Sequence, residues 1–292
     1  MERAFVEEIA PAKVNLILSV GKKRPDGYHD LLTLMETVSL FDKLTVKVEN
    51  GVLPEIKLSV SGKYKVPEDP SNLVVRAAEA FFARVGRRYS LSIRLEKFIP
   101  TEAGLGGGSA DAAATLRALN LIAGTPLTSD ELRVLAATLG ADVAFCLFGG
   151  TAVCRGIGDR IEPVDAPAMR HYAVVMGNER VSTPGAYRAL DQFRTNNAGE
   201  ICIPTENDLI SLARGDDVPL ANDFEAVVFH DCPSIAERKA RLLSLGAKDA
   251  LMTGSGAAVF GVFPNASSAE RAAAAFSDAD AFAVESVGRY YF

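Results

Sequence analysis

The sequence offers little from which to build a metal site or a disulfide frame. Its 292 residues include four cysteines and three histidines. Cys146, Cys154, Cys202 and Cys232 contain no CxxC pair, no Cys/His cluster accompanies them, and a chain this long needs no covalent staples. Reduced thiols and no structural zinc are therefore expected. No stretch approaches the ~20 uninterrupted apolar residues of a membrane span. The N-terminal MERAFVEEIAPAK carries acids and lacks an apolar core, so it does not read as a signal peptide. Excess positive charge is also missing: 31 Lys and Arg face 37 Asp and Glu, a net charge of -6, which argues against a nucleic-acid or anionic-membrane partner. These absences point to a cytoplasmic protein. If its ligand is anionic, a few local Lys, Arg or backbone N–H groups must meet that charge. No repeat or low-complexity segment is found.

What is present is ordinary globular composition, 48% apolar and 23% charged, with enough length for one large or two moderate domains. Val14, Leu16, Leu18 and Val20 alternate with Lys13, Asn15, Ile17 and Ser19, a period-2 strand that places Lys13 and Asn15 on one face. Arg24-Pro25-Asp26-Gly27 is turn chemistry. Strands are expected at Leu44–Val48 and Ile56–Val60, joined hairpin-fashion through Asn50-Gly51. Asp69-Pro70-Ser71-Asn72 opens a helix running to about Val85, and Leu91, Ile93 and Leu95 mark another strand. A strong helix covers Ala112 to Ile122, and Thr128 with Glu131 is a capping-box pair for a helix stopping near Gly140. Val143–Phe148 and Thr151–Cys154 are apolar runs. Pro163 to Pro167 is the best linker, dividing the chain into 1–163 and 164–292. Beyond it a strand at Tyr172–Met176, helices near Pro184–Gln192 and Pro233–Leu245, a strand pair around Gly254–Phe263 and a helix from Ala269 give a mixed order. That order predicts an α+β fold rather than a doubly wound sheet.

Gly104-Leu105-Gly106-Gly107-Gly108-Ser109 lies where a strand ends and a helix begins, at about Ser109. Glycines let phosphate oxygens approach the backbone, and the free N–H groups of a helix's first turn favour an anion. Ser109 can cap that helix or reach a phosphate or metal. The run lacks the Walker A lysine, and Ser109 occupies the place of the third Rossmann glycine. A turn built only for close packing remains the alternative. Lys13, taken alone, reads as a solvated edge lysine. Asp142 leads an apolar run, either as a cap or as a partly buried functional acid. A kinase would need such a pair: an acid to orient or deprotonate the acceptor hydroxyl, and a lysine to neutralise charge on the transferred phosphoryl group.

Pro100-x-x-x-Gly104-Leu105-Gly106-Gly107-Gly108-Ser109-Ala110-Asp111 resembles the central motif of the GHMP kinases, a family of small-molecule kinases. Pro11-Ala12-Lys13-Val14-Asn15-Leu16 is similar to their first motif, and Met252-Thr253-Gly254-Ser255-Gly256-Ala257-Ala258 to their third. The three occur in the family's order across nearly the whole chain. Arg24 to His29, Gly140 to Val143, Val181-Ser182-Thr183-Pro184-x-x-Tyr187 and Asn222 to Glu225 resemble one branch, which uses ATP to phosphorylate the 2-hydroxyl of a cytidyl-linked methylerythritol in non-mevalonate isoprenoid synthesis. The sequence departs from the common pattern at Ala110, Ala144, Ala257-Ala258 and Tyr187.

The resemblance implies a ribosomal-S5-like, ATP-binding unit at 1–163, a ferredoxin-like, substrate-binding unit at 164–292, and a site in the cleft between them. It implies ATP and Mg²⁺ as cofactors and leaves the metal ligands open. Asp142 would be the general base and Lys13 its partner. Pro100, Gly104, Leu105, Gly106, Gly107, Gly108, Ser109 and Ala110 would hold ATP, with Asn72 near the adenine and Gly254, Ser255 and Gly256 closing over the phosphates. Asn15, Tyr28, His29, Thr183 and Tyr187 would bind the small-molecule substrate, His29 hydrogen-bonding a cytosine stacked between Tyr28 and Tyr187. For the two tyrosines, ordinary half-buried packing is the plainer reading. A homoserine- or mevalonate-type kinase is the first rival, disfavoured by these aromatic residues. A non-catalytic nucleotide sensor is the second, disfavoured by the joint presence of Lys13 and Asp142.

Overall fold

The computed structural model describes residues 5–49, 54–166, 169–196 and 204–289. Cys202, the Asn50-Gly51 turn, Pro167 and the first four residues of the N-terminal segment lie outside them. Two long strands, β1 (Phe5–Lys23) and β2 (His29–Glu49), pair antiparallel across the expected Arg24–Gly27 turn. The register of β1 shifts between Pro11 and Lys13, between Asn15 and Ile17, and between Val20 and Lys23. Such irregularities bend a strand and re-aim its side chains. Here they let β1 serve two cores: Val6 and Ala10 pack in the first, and Ala12 to Val20 in the second.

β3 (Ile56–Gly62), α1 (Leu73–Val85) and β4 (Ser90–Lys97) follow. β4 pairs with β2, and β3 runs parallel to β4 on its outer side, so β2 and β3 are not hairpin partners. The Asn-Gly signal is local, whereas β4 brings Leu91, Ile93 and Leu95 to the core and so takes the place beside β2. The stretch containing α1 supplies the long crossover that a parallel pair requires. Asn72 caps α1, its Oδ1 accepting from Val74 N at 2.9 Å.

α2 (Gly107–Ile122) starts two residues before the expected Ser109, because Gly106 supplies the left-handed conformation that turns the chain into the helix. Its alanines let it lie close against β1, α1 and α4, and every residue from Ala110 to Asn120 is buried. α3 (Ser129–Leu139) carries the Thr128–Glu131 capping box, and α4 (Ala141–Phe148) follows after Gly140. β5 (Thr151–Gly156) pairs with the start of β2, and β6 (Arg160–Val164) with β5. Pro163, expected in a linker, therefore lies in β6; that strand is an edge, where the missing N–H of proline costs no ladder bond.

The second half contains β7 (His171–Met176), α5 (Thr183–Asn196), α6 (Glu206–Arg214), β8 (Ala221–Asn222), α7 (Glu225–Asp231), α8 (Pro233–Ser244), β9 (Asp249–Met252), β10 (Val259–Phe263), α9 (Ala266–Ala274) and β11 (Asp280–Glu285). The four-stranded sheet has the order β11-β7-β10-β9, all antiparallel. With α8 before β9 and α9 before β11 this is the expected ferredoxin-like layer. The whole is a two-domain α+β fold. The short α6, α7, β6, β8 and β11 were not expected from the sequence. β8 crosses back to the first sheet and pairs parallel with β1, which makes β1 an interior strand.

Two buried ionic clusters tie these layers. Glu36 on β2 is fully buried and accepts hydrogen bonds from Thr151 Oγ1 at 2.9 Å, Arg170 Nη1 at 2.7 Å and the Tyr172 hydroxyl, joining the two sheets. Beneath the glycine run, Lys97 Nζ donates to Asp111 Oδ2 at 2.7 Å and to Asp42. Asp42 Oδ1 also accepts from Phe98 N at 2.5 Å and Ile99 N at 2.9 Å. Asp111 Oδ1 has no partner among the described residues, and burial pushes the Asp111 carboxyl well above the usual carboxylate range, against the pull of Lys97. Replacing Lys97 by methionine leaves two buried carboxylates uncompensated and is expected to lower stability by about 3–5 kcal/mol. A carboxyl whose folded-state pKa is raised takes up protons on folding, so the deficit should be larger at pH 8 than at pH 5.5. Urea denaturation at the two pH values checks both points; a loss below about 1 kcal/mol, the range of exposed pairs, would contradict the role given to this cluster.

Candidate active site

β1 carries Lys13 into the interior. It is 4% exposed and lies between β2 and the glycine run, so the edge-lysine expectation does not hold. The reason is the glycine run, which covers Lys13 on the side away from β2, while β8 covers β1 further along at Ile17 and Leu18. Lys13 Nζ donates to Asn15 Oδ1 at 2.7 Å and faces Asp142 Oδ2 at 3.4 Å. Asp142 sits in the first turn of α4, where the helix dipole favours a carboxylate. It is not the cap, which is Gly140. Its side chain is 36% exposed, open to a ligand on the side away from Lys13.

The glycine run closes over this pair. Lys13 N donates to Leu105 O at 3.0 Å. Gly106 has φ +69°, and a Cβ there would stand 3.0 Å from Lys13 Cγ, so the lysine stem runs against the loop backbone. Gly104 has φ +75°, and its Cβ would fall 2.1 Å from Thr253 O. Leu105, Pro100 and Ala110 are buried supports, whereas Gly108 is exposed at the start of α2. The Ser109 hydroxyl makes no hydrogen bond among the described residues. Asn72 adjoins the loop through Leu73, which lies 3.6 Å from a Cβ built on Gly108. Its side chain is committed to the α1 cap and to Pro67 O at 2.7 Å.

The third motif meets the first through Asn15. The Asn15 Oδ1 that holds Lys13 also accepts from Gly254 N at 3.1 Å, while Asn15 Nδ2 donates to Thr33 Oγ1 at 2.9 Å. Asn15 N donates to Thr253 Oγ1 at 3.1 Å, and Thr253 Oγ1 donates to Gly104 O at 3.2 Å. Asn15, expected against the substrate, is thus 2% exposed and occupied by protein partners. Asn222 supports the same turn, its Nδ2 donating to Met252 O at 2.6 Å and Gly254 O at 2.8 Å. Buried Ser255 shares a 2.7 Å hydroxyl contact with Thr183 at the start of α5, and Gly256 is buried beside Val181.

From Thr183 the site opens into a cavity of about 420 Å³ lined by Tyr28, His29, Leu31, Thr183, Tyr187 and Asp191. His29 and Tyr187 stack with ring centroids 4.9 Å apart at 26°, and Phe224 meets Tyr187 edge-on. Burial, and then the charge of Asp142, push the Tyr187 hydroxyl up to about 12. Tyr28 is 61% exposed on the rim and makes no ring contact among the described residues. His29, rather than Tyr28, lies on the Tyr187 ring in this structure.

The structure thus brings Lys13, Asp142, the glycine run and Gly254 together, and sets His29, Thr183 and Tyr187 along one adjoining cavity. Sequence reading gave no role to Thr33, Thr253, Asn222 or Asp191. Thr253 and Asn222 lay inside motifs quoted for their family pattern, so position alone could have flagged them. Thr33 and Asp191 carry no local signal.

The two glycine environments predict opposite responses. Gly104→Ala forces a Cβ into a backbone carbonyl at positive φ and should destabilise by about 2 kcal/mol or more. Gly108→Ala makes only an ordinary van der Waals contact with Leu73 in a helix and should keep stability within about 1 kcal/mol. Thermal unfolding of both variants checks this. Equal losses would contradict the close approach of the two loops.

The model of the GHMP kinases N terminal domain matches residues 72–150, and that of the GHMP kinases C terminal matches residues 201–281. The 4-diphosphocytidyl-2-C-methyl-D-erythritol kinase of Desulfitobacterium hafniense (strain Y51) is 40% identical over 277 residues, covering 94% of this chain and 92% of that protein. The protein of the same name from Syntrophus aciditrophicus (strain SB) is 43% identical over 265 residues, covering 90% and 92%. A crystal structure of 4-(cytidine 5'-diphospho)-2C-methyl-D-erythritol kinase superposes with a TM-score of 0.81 at 38% identity, covering 97% of this chain and 100% of that one. Two family models in chain order and relatives about 40% identical over nearly the whole chain show that the chain belongs to the GHMP kinases.

Proposed function

We infer that this chain uses ATP to phosphorylate the 2-hydroxyl of 4-diphosphocytidyl-2-C-methyl-D-erythritol. The observation that carries the reaction class is the Lys13–Asp142 pair held under the glycine run. The relatives' shared name and the aromatic cavity support the acceptor.

In this reading the ATP phosphates rest on the N–H groups at the start of α2, with Gly254 and Ser255 over them. Asp142 accepts the proton of the attacking hydroxyl on its open side. Lys13 stays beside it and offsets the negative charge that builds on the transferred group. The acceptor's base lies in the cavity by His29 and Tyr187, which fixes the hydroxyl against Asp142. Mg²⁺ keeps several waters and takes most of its ligands from phosphates, so one or two protein oxygens suffice. Ser109, whose hydroxyl is uncommitted among the described residues, fits that need. When bound, the ion would neutralise phosphate charge. Among the described residues no cluster of three or more His, Cys, Asp or Glu could hold a metal, so a caged metal centre is not proposed.

Asp142→Asn should cut kcat about 10²–10⁴-fold while the protein stays folded. ADP release measured in parallel with the cytidyl substrate, mevalonate and homoserine should be seen with the first alone. Turnover of only mevalonate or homoserine would overturn the acceptor, near-normal turnover in Asp142→Asn would overturn the base, and no turnover of any of the three would favour a sensor.

A further inference from the structure

His29 Nε2 lies 2.8 Å from Asp191 Oδ1. An ionised carboxylate only accepts hydrogen bonds, so Nε2 must be the donor. In a neutral imidazole the proton is then spent on Asp191, and Nδ1 is left as a bare acceptor. Lys23 Nζ stands 3.6 Å from the other Asp191 oxygen, so both oxygens of that carboxylate face nitrogen donors. Stacking on Tyr187 fixes the plane of the ring. His29 is 7% exposed and lines the cavity, and its Nδ1 has no hydrogen-bond partner among the described residues. The ring is thus oriented, its tautomer selected, and one acceptor left over.

We propose that Asp191 is a specificity-determining positioning residue: by holding the Nε2–H tautomer of His29 it presents an acceptor to the pyrimidine edge and selects the exocyclic amine of cytosine against the exocyclic oxygen of uracil. The inference rests on the cytidyl reading of the cavity given above. Cytosine at that edge donates, whereas uracil offers lone pairs to a nitrogen that already carries one. Asn in place of Asp reverses the pattern, because the amide can donate to Nε2 and return the proton to Nδ1. A residue that merely supported the fold would alter both substrates alike.

The test is kcat/KM for the cytidyl substrate and its uridyl analogue in wild type, Asp191→Asn and Asp191→Glu, together with the ¹⁵N spectrum of His29 in the absence of ligand. The wild type should prefer the cytidyl substrate and show the Nε2–H tautomer. Asp191→Asn should reduce the cytidyl-to-uridyl ratio by about 10-fold or more, with the proton moved to Nδ1. Asp191→Glu should retain part of the preference. An equal loss for both substrates in Asp191→Asn, or an unchanged tautomer, overturns the role of Asp191 while leaving the cytidyl reading intact. A wild type that turns over neither substrate, or both equally, overturns the cytidyl reading and this inference with it.

Discussion

The side-chain amide of Asn15 is the interaction on which the rest of the site depends. It is buried on a strand that passes from one core to the other, and it holds Lys13 on one side and the Gly254 turn on the other. A buried amide must find partners for both its ends, and a low-dielectric setting makes each missing bond costly. Thr33 accepts from the amide nitrogen, and Thr253 Oγ1 accepts from the backbone N–H of Asn15. The same residue that aims the lysine therefore fixes the distance between the two glycine turns, and Thr253 passes the constraint on to Gly104. Without Gly104 the turns could not approach, since any Cβ there would overlap the Thr253 carbonyl.

The protein meets its charge problem with few cations. In the proposed reading a chain of net charge -6 holds a polyphosphate with backbone N–H groups at a helix start and with a lysine whose position is imposed by neighbours. Lys97 works a layer below, against Asp42 and Asp111, and a Cβ on Gly107 would stand 3.3 Å from its amine. That cluster anchors the end of β4, the middle of β2 and the first turns of α2, the elements from which the loop leaves and to which it returns. The glycine run is thus shaped by packing, and its polarity by the helix.

How much of this the sequence reveals depends on the range of each interaction. The strand at 13–20, the helix opened by Asp69 to Asn72, the Thr128–Glu131 box and the α2 alanines depend on neighbours a few residues away, and they stand as the pattern predicts. The ferredoxin-like order followed from motif resemblance, because local patterns do not specify strand order. What misled was long-range. Lys13 reads as an edge residue because what covers it, the backbone at Leu105 and Gly106, belongs to a loop far along the chain and not to a neighbouring strand. The Asn50-Gly51 signal suggested a hairpin, yet β4 takes the place beside β2. Asp191 and Thr33 matter only through the partners that the fold brings to them.

The most direct measurement is a crystal structure with a non-hydrolysable ATP analogue and the cytidyl-methylerythritol acceptor bound together. The account predicts the acceptor's 2-hydroxyl within about 2.6–3.2 Å of an Asp142 carboxylate oxygen, the terminal phosphate over the start of α2 beside Lys13, and the base in the His29–Tyr187 cavity. A hydroxyl out of reach of Asp142, with the phosphates elsewhere than the glycine run, would contradict it.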